Sequence, residues 1–555
     1  MSEVIRQAAT LILLRDAAQG PEVFMLRRAQ AASFLGGAYV FPGGALEASD
    51  FAPATHERMH GLDDPAASTR LGIRSGGLAY WAAAMRECFE EAGILVASSE
   101  DGSPLPAQRL AWLLETRDAV SRGDTSLVAV LREAHARMDA AELVYCDHWV
   151  TPPLRPRRFD TRFFIARAPV SQQGSHDNTE TVHSFWVTPH DALVRNDHQE
   201  IELAFATRVI LGGLACHRSV DAALAAARAR TNIEVNRPTI AQGREGPKVF
   251  RLGDAPYHEI HWSDPTETTT TTYDLLPGVP KQLDALVTRI IAPNAGMMTG
   301  PGTNTYLVGT DEMVVIDPGP LVDSHISAIV EHAAGRLRWI LCTHTHHDHS
   351  PAANALRART GALIIGQRAP DGANQDRDFK PDRTPLHNEL LELGAFTLRA
   401  LHTPGHASNH VCYLAENTRM LFTGDHVMQG STVIINPPDG DMTAYLASLE
   451  MLRSLDVAII APGHGYLIGS PQREIARLIK HRLWRERRLI VALRTRGPAT
   501  AESLVPFVYD DVPATRHAAA ARSLLAHLDK LEREHRLVRV GGLYRLHEAE
   551  PGSAA

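Results

Sequence analysis

The stretch Cys342-Thr343-His344-Thr345-His346-His347-Asp348-His349 decides the reading of the chain. Four side chains able to ligate a metal, His344, His346, Asp348 and His349, fall within six residues, directly after the apolar run Leu337 to Leu341. Imidazole and carboxylate are the usual donors to zinc and similar ions. The apolar run predicts a buried strand, so the donors lie on a loop at its C-terminal end, where layered α/β folds place reactive groups. A histidine-rich patch on a solvated loop is commonly inert, but donors packed this closely behind a strand call for a metal. His347 is expected to be a solvent-facing neighbour.

One loop supplies too few ligands, and further donors recur downstream. His406 stands in Thr403-Pro404-Gly405-His406, Asp425 in Thr423-Gly424-Asp425-His426, and His464 in Ala461-Pro462-Gly463-His464-Gly465. Each follows a strand-like run, Thr397 to Leu401, Met420 to Phe422 and Val457 to Ile460, and each has a glycine beside it that lets the backbone turn and approach an ion. Seven donors suffice for two metals about 3.5–4 Å apart sharing one carboxylate. A water bridging two cations loses its proton near neutral pH, which points to hydrolysis at a carbonyl or phosphoryl centre.

The set and order of these donors resemble the metallo-β-lactamase superfamily, an αββα sandwich. The resemblance implies that His344, His346 and His406 hold one metal and Asp348, His349 and His464 the other, with Asp425 bridging. The metals would be two zinc ions, or manganese or iron. Asn304 to Val308 and Val314 to Gly319 match the family's opening strands, which makes Asp317 a carboxylate that orients a ligand. Ile291 to Gly296, Gly302 to Tyr306 and the tail from His481-Arg482-Leu483-Trp484-Arg485-Glu486 to His535 are similar to the β-lactamase-like protein 2 group, whose tail is winged-helix-like. Animal members of that group cleave single-stranded RNA, so single-stranded RNA is one substrate implied; the fold also houses thioesterases.

A second signature lies upstream. In Arg86-Glu87-Cys88-Phe89-Glu90-Glu91-Ala92-Gly93, Glu87, Glu90 and Glu91 fall at i, i+3 and i+4 and share one face of a helix. Three crowded carboxylates repel one another unless a cation sits among them, and hard oxygen donors suit Mg²⁺ or Mn²⁺. Arg86 is placed to orient one of them, and Cys88 reads as a buried structural thiol. Val40-Phe41-Pro42-Gly43-Gly44-Ala45-Leu46-Glu47 with Asp50 resembles the first half of the Nudix box. Thirty-five residues, Phe51 to Met85, separate its halves, far more than the usual spacer, and Asp50 stands where the box has Glu. Such an insert, with Phe34-Leu35-Gly36-Gly37 before the box and Arg157-Arg158-Phe159-Asp160-Thr161 after it, resembles Nudix enzymes related to peroxisomal coenzyme A diphosphatases. That resemblance implies an αβα sandwich that hydrolyses a nucleoside diphosphate linkage. Glu87, Glu90, Glu91, Asp348 and Asp425 are the expected catalytic carboxylates. Arg27, Arg28, Gly43, Gly44 and Arg86 are the expected substrate-binding residues.

The chain's 555 residues exceed one core, and 44% hydrophobic with 22% charged residues is ordinary for folded protein. The expected class is multidomain α/β and α+β: a Nudix domain over 1–263 with its insert at about 51–85, a Thr/Pro linker at 264–280, a metallo-β-lactamase-fold domain over 281–470 and a winged-helix-like domain over 471–555. The linker rests on Thr268 to Thr272 between Pro265 and Pro277, a tract with nothing evident to pack against. Five scattered cysteines without a Cys-x-x-Cys pair suggest reduced thiols. No apolar run reaches the roughly 18–20 residues of a membrane span, and no signal peptide is evident. The expectation is a soluble cytoplasmic protein that does not engage a membrane. Its net charge of −8 argues against a polyanion binder as a whole. From Pro471 onward, however, sixteen Lys+Arg face ten Asp+Glu, with Arg477, Lys480, Arg482, Arg485, Arg487 and Arg488 close together on one predicted helix. A basic face can track phosphates.

These readings combine as a bifunctional metal-dependent hydrolase, acting on a small-molecule diphosphate or a coenzyme A-type substrate. The alternatives are single-strand endoribonuclease activity of the C-terminal half, thioester hydrolysis linked to coenzyme A turnover, and a non-enzymatic nucleic-acid-binding regulator. Ligand types alone leave the oligomeric state open.

Overall fold

The computed structural model describes residues 5–30, 35–153, 155, 157–372 and 374–547. Phe34 of the expected pre-box motif lies outside them. The chain divides into two compact units, Met1–Ile240 and Ala241–Ala555.

The first unit is built on a seven-stranded sheet whose long path runs Thr181–Val187, Gly20–Arg28, Arg6–Ala17, Phe159–Arg167, Val144–Val150. Strand alternation sends Ala9, Leu11 and Leu13 to one face and Ile12 and Leu14 to the other. The first face packs on Trp81, Met85 and Phe89 of helix Leu78–Ala92. The opposite face packs on Ile210 and Leu211 of helix Phe205–Leu214 and on Leu224 of Val220–Arg228. Helices on both faces of one sheet make an αβα sandwich. The long spacer folds into helices Pro53–His56 and Asp64–Leu71, then enters Leu78–Ala92. Within it, Met59–His60 joins a small sheet with Ala136–Asp139 and Ala97–Ser99. The Asp64 carboxylate accepts the Gly76 and Leu78 amides, each at 3.0 Å, and so ties the spacer to the start of the long helix.

In the second unit two sheets face one another. The six-stranded sheet carries Val287–Ile291, Asn304–Val308, Met313–Ile316 and Leu337–Leu341 among its members, and the five-stranded one carries Phe396–His402, Val411–Ala415, Met420–Gly424 and Ile459–Pro462. Tyr306, Val314, Leu341 and Ile365 meet Leu398, Tyr413, Phe422 and Ile459 in the core between them. Helices Asp323–Ala333 and Ala352–Thr360 cover the outer face of the first sheet. Met442–Arg453 and the first half of Pro471–Arg496 cover the second, completing an αββα sandwich. The second half of Pro471–Arg496 packs with Ala501–Val508, His517–Arg533 and the hairpin Leu537–Val540/Leu543–Leu546 in a winged-helix arrangement.

Two expectations meet a different geometry here. The stretch 264–280, expected as a free linker, is packed. The Asp264 carboxylate accepts the Thr268 and Thr269 amides at 2.8 and 2.7 Å, and Tyr273 sits in a small core with Ala241 and Ile260. Composition alone does not show that a buried carboxylate, with Gln242 bonding the Thr269 and Thr271 carbonyls, holds the polar tract. The basic helix is also not an open cationic face. Arg482 and Arg485 are buried, with Arg482 donating to the Val433 carbonyl and Arg485 to Asp511 at 2.6 and 2.9 Å; Arg477 pairs with Glu474 and Arg488 with Asp510. Helical spacing puts arginines on the buried face as well as the solvated one. No helix among the described residues is long and apolar enough to cross a membrane.

The winged-helix region buries His527 completely, with neither ring nitrogen hydrogen-bonded among the described residues and Glu486 4.0 Å away. Burial, with Arg482 and Lys530 behind it, holds this imidazole well below its ordinary value, and burial with Arg482 likewise draws His481 down to about 4. For a base depressed in the folded state, the stability it contributes is present above the unfolded value near 6.5 and is lost as pH falls from there toward about 4. In metal-free protein, the denaturant midpoint of the second unit therefore declines across that window, and less steeply in His527→Leu. Equal slopes in the two proteins would reject this account.

Candidate active sites

Four strand ends of the second unit converge. The loop after Leu337–Leu341 carries His344, His346, Asp348 and His349; those after Phe396–His402, Met420–Gly424 and Ile459–Pro462 carry His406, Asp425 and His464. The structure gathers all seven into two sets, His344/His346/His406 and Asp348/His349/Asp425/His464, and within each set the donor atoms lie within 4.8 Å of one another. In the first, His346 Nδ1 is 2.9 Å from His344 Nε2 and 3.0 Å from His406 Nε2. In the second, Asp425 Oδ1 is 3.4 Å from His349 Nε2 and 3.3 Å from His464 Nε2. Its other oxygen faces His406 Nε2 at 3.8 Å, so Asp425 addresses both sets. His347 is exposed.

The protonation of these rings follows from their outer hydrogen bonds. His406 Nδ1 lies 2.9 Å from the Ile434 carbonyl and His464 Nδ1 3.1 Å from that of Gly302. A carbonyl only accepts, so each Nδ1 carries the hydrogen and each Nε2 presents a lone pair inward. His349 Nδ1 donates to Asp317 at 2.9 Å with the same result. The Thr343 hydroxyl donates to Asp317 at 2.8 Å, which leaves its oxygen to accept from His344 Nδ1 at 3.0 Å and turns His344 Nε2 inward as well. Asp317 also accepts the Thr343 amide at 2.7 Å and holds a left-handed backbone, φ 50°. It therefore orients two donors of the central loop.

Four lone pairs aimed at shared points are repulsive without a cation. His349 Nε2, His464 Nε2 and Asp425 Oδ1 are buried and lack a hydrogen-bond partner among the described residues, a costly state that a metal relieves. The donor chemistry therefore fits divalent ions. The two sets differ in charge. Burial and the neighbouring imidazoles push His344 well below its ordinary value and His346 to about 3, so these two rings resist protonation. In the other set, burial opposes the charged imidazoles, but Asp425 and Asp348 overcome it, raising His464 to about 9 and His349 well above its ordinary value. That set carries negative charge which attracts protons when no metal is bound. Gly463 is required by close approach, since a Cβ there would lie 2.7 Å from Asp425 Oδ1 and 2.9 Å from His349.

One residue near this site escaped the sequence reading. His410, fully buried, stacks on His344 at 5.1 Å between ring centroids, and its Nδ1 is 2.9 Å from the Thr403 hydroxyl. It stands in Ser408-Asn409-His410 without the flanking glycine that marked the other donors, so no local signal distinguished it.

In the first unit Arg86 is the hub of the carboxylates. Its guanidinium donates to both Asp50 oxygens at 3.0 Å, to Glu87 at 3.0 Å, to Glu90 at 3.2 Å and to the Ala45 carbonyl at 3.0 Å. Arg86 is buried, and these contacts engage it within the protein, as a brace for three carboxylates. Glu91 accepts the Gly43 amide at 2.9 Å, and a Cβ on Gly44 would lie 2.4 Å from Glu87 Oε1. Burial, and behind it Glu90 and Glu180, outweighs Arg86 and lifts Glu87 to about 7; burial with Glu87 raises Glu91 well above the usual range. This excess negative charge suits a hard cation, although the three oxygens do not close to the separations of the central sets. Arg28 lowers Glu91 through its charge, while the Arg27 side chain is exposed and donates to the Gly37 carbonyl at 3.3 Å. Cys88 is fully buried, and burial pushes its thiol up. Glu180, outside the box, reaches this cluster only through the tertiary fold.

Comparison with known proteins agrees with both folds. The model of the NUDT19 Nudix domain matches residues 5–207, that of the metallo-beta-lactamase superfamily 298–464 and that of the beta-lactamase associated winged helix domain 500–545. A lactamase-like protein, aptB, of Emericella nidulans is 30% identical over 55% of this chain and 96% of its own length. The beta-lactamase-like protein 2 homolog of Drosophila melanogaster is 32% identical over 47% and 93%. The atrochrysone carboxyl ACP thioesterase of Aspergillus chevalieri is 33% identical over 45% and 82%. The chain is thus a hydrolase of the metallo-beta-lactamase superfamily in which a NUDT19-type Nudix domain precedes the lactamase-fold domain and a beta-lactamase-associated winged helix follows it.

Proposed function

We propose that the chain is a bifunctional metallohydrolase that dismantles coenzyme A-type thioesters, cleaving the thioester at the central site and the diphosphate at the Nudix site. The observation that carries the central assignment is the set of inward-facing lone pairs whose outer nitrogens are tied to Asp317, Thr343, Ile434 and Gly302. His344, His346 and His406 would hold one ion and Asp348, His349 and His464 another, with Asp425 shared; zinc, manganese and iron all suit these donors. When bound, the ions polarise the scissile carbonyl and generate a nucleophile from water near neutral pH. The chain's own contribution is orientation: Asp317 keeps His349 in one tautomer, and the carbonyls of Ile434 and Gly302 do the same for His406 and His464. Hydrolysis adds water across the carbonyl carbon–sulfur bond, releasing a carboxylate and a thiol.

At the Nudix site Glu87, Glu90 and Glu91 would hold Mg²⁺ or Mn²⁺, with Arg86 fixing two of them and Asp50, and Gly43 and Gly44 admitting the carboxylates against the backbone. Water adds at phosphorus and a P–O bond of the diphosphate breaks, giving 3′,5′-ADP and a pantetheine phosphate from coenzyme A. The NUDT19-type match and the thioesterase-named relatives support one molecule as substrate for both domains.

A second reading, cleavage of single-stranded RNA by the C-terminal half, draws on one feature. Trp484, Arg487, Arg488, Val491, Arg496 and Phe507 line an open groove of about 540 Å³, with the Arg496 guanidinium 3.6 Å over the Phe507 ring. An exposed Phe507 and a half-buried Trp484 beside guanidinium groups suit stacked bases and their phosphates.

Two measurements on the intact chain test these readings. With acyl-coenzyme A as substrate, His346→Ala removes thiol release by more than the roughly 10–100-fold that outer partners of metal ligands cost, while 3′,5′-ADP release persists; Glu90→Gln gives the reverse. Absence of both products from the unchanged protein would eliminate the coenzyme A reading. For RNA, fluorescence anisotropy with a labelled single strand at low salt reports binding that falls at least tenfold in a Trp484→Ala/Arg487→Ala chain. No binding, or no difference between the chains, would remove the groove from consideration.

A further inference from the structure

We infer that the buried ion pair Glu259–Arg289 is a positioning device for the loop carrying His464, so that a segment lying between the Nudix and lactamase-fold matches completes the metal centre. The inference rests on reading His464 as a metal ligand. Glu259 belongs to helix Tyr257–Ser263, after the Nudix match ends at 207 and before the lactamase match begins at 298. Its carboxylate is fully buried and accepts four donors: Arg289 at 2.6 and 2.8 Å, Lys281 at 2.6 Å and the Leu467 amide at 3.0 Å. Arg289, 1% exposed, extends the chain of contacts by donating to the Gly465 carbonyl at 3.2 Å. The two residues thus grip the backbone on the C-terminal side of His464. Asn304 and Tyr306 hold the other side: the Asn304 backbone amide donates to the Gly463 carbonyl at 2.7 Å and the Tyr306 hydroxyl to that of Pro462 at 2.8 Å, while the Asn304 side-chain amide reaches across to the Pro462 and Gly465 carbonyls, each at 2.9 Å.

The upstream segment also touches this loop elsewhere. The Tyr466 hydroxyl donates to the Tyr273 carbonyl at 2.7 Å, and a Cβ on Gly469 would lie 2.2 Å from His258 Nδ1, so the helix packs against bare backbone there. A fully buried ion pair is no better for stability than apolar side chains of the same volume. What it adds is direction, because a planar guanidinium and a carboxylate fix each other and the groups they bond. Here the direction is delivered to the main chain one and three residues from His464. His464 contributes its lone pair to the set shared with Asp348, His349 and Asp425, and not to the histidine triad. Loosening the pair therefore weakens one metal and spares the other.

The test is Co²⁺ titration of the full-length chain, read by visible absorption, in which four- or five-coordinate cobalt absorbs far more strongly than the six-coordinate ion typical of carboxylates and water. The unchanged chain takes up two strongly absorbing equivalents; fewer would overturn the two-metal reading itself before any variant is compared. Glu259→Gln is expected to weaken one equivalent about tenfold or more, in the range found for outer partners of metal ligands, and to leave the other unchanged. Lys281→Met, which leaves the Glu259–Arg289–Gly465 connection intact, retains both. Should Glu259→Gln fail to fold, Arg289→Lys decides, since lysine keeps the charge but cannot fork between Glu259 and Gly465, and it too is expected to lose one equivalent. Two equivalents bound at unchanged strength in the folded variant, or equal weakening of both, would overturn the inference.

Discussion

The second unit depends on a hydrogen-bond constraint just outside its metal-ligand donors. Asp317 takes the His349 Nδ1 hydrogen, the Thr343 hydroxyl and the Thr343 amide, and so directs the lone pairs of His349 and His344 to the interior. Backbone carbonyls of Ile434 and Gly302 act in the same way on His406 and His464. Each is a pure acceptor or has its hydrogen engaged elsewhere, so the tautomers have no freedom. A ring that flipped would bury an unpaired nitrogen against an acceptor, at a cost of about 1–3 kcal/mol. The αββα scaffold makes this arrangement possible by bringing four strand ends, far apart in sequence, to one edge of the sandwich.

Within that centre the protein builds two different electrostatic environments a few ångströms apart. In the all-histidine set His344 and His346 disfavour protons. The set around Asp348 and Asp425 is anionic and draws protons onto His349 and His464 until a cation replaces them. Asp425 joins the two. The Nudix box uses another device, a buried arginine that gathers carboxylates which would otherwise repel, and it leaves Glu91 to a backbone amide. Nitrogen-rich and oxygen-only donor sets suit different ions.

Much of this was legible because the informative residues are clustered. His344 to His349 lie in one loop, the box glutamates in two helical turns, and each downstream donor sits beside a glycine after an apolar run. The exceptions share a cause. His410 and Glu180 join their sites through packing between segments distant in sequence and carry no local mark. The threonine tract 268–272 has the composition of a linker, yet Asp264, Gln242 and Tyr273 hold it in place. The arginines of helix Pro471–Arg496 look like one basic face, but Arg482 and Arg485 point inward to acceptors supplied by Val433 and Asp511.

The sequence by itself determined which side chains are available, the clustering of the candidate metal donors and the alternation that builds each sheet, because these depend on spacing along the chain. Only the tertiary structure decided which nitrogen of each histidine faces inward, how Asp425 divides its oxygens, that Arg86 braces three carboxylates, and that Glu259 and Arg289 grip the loop of His464. Those depend on the direction of hydrogen bonds between residues up to about two hundred positions apart, and direction exists only once the chain has folded.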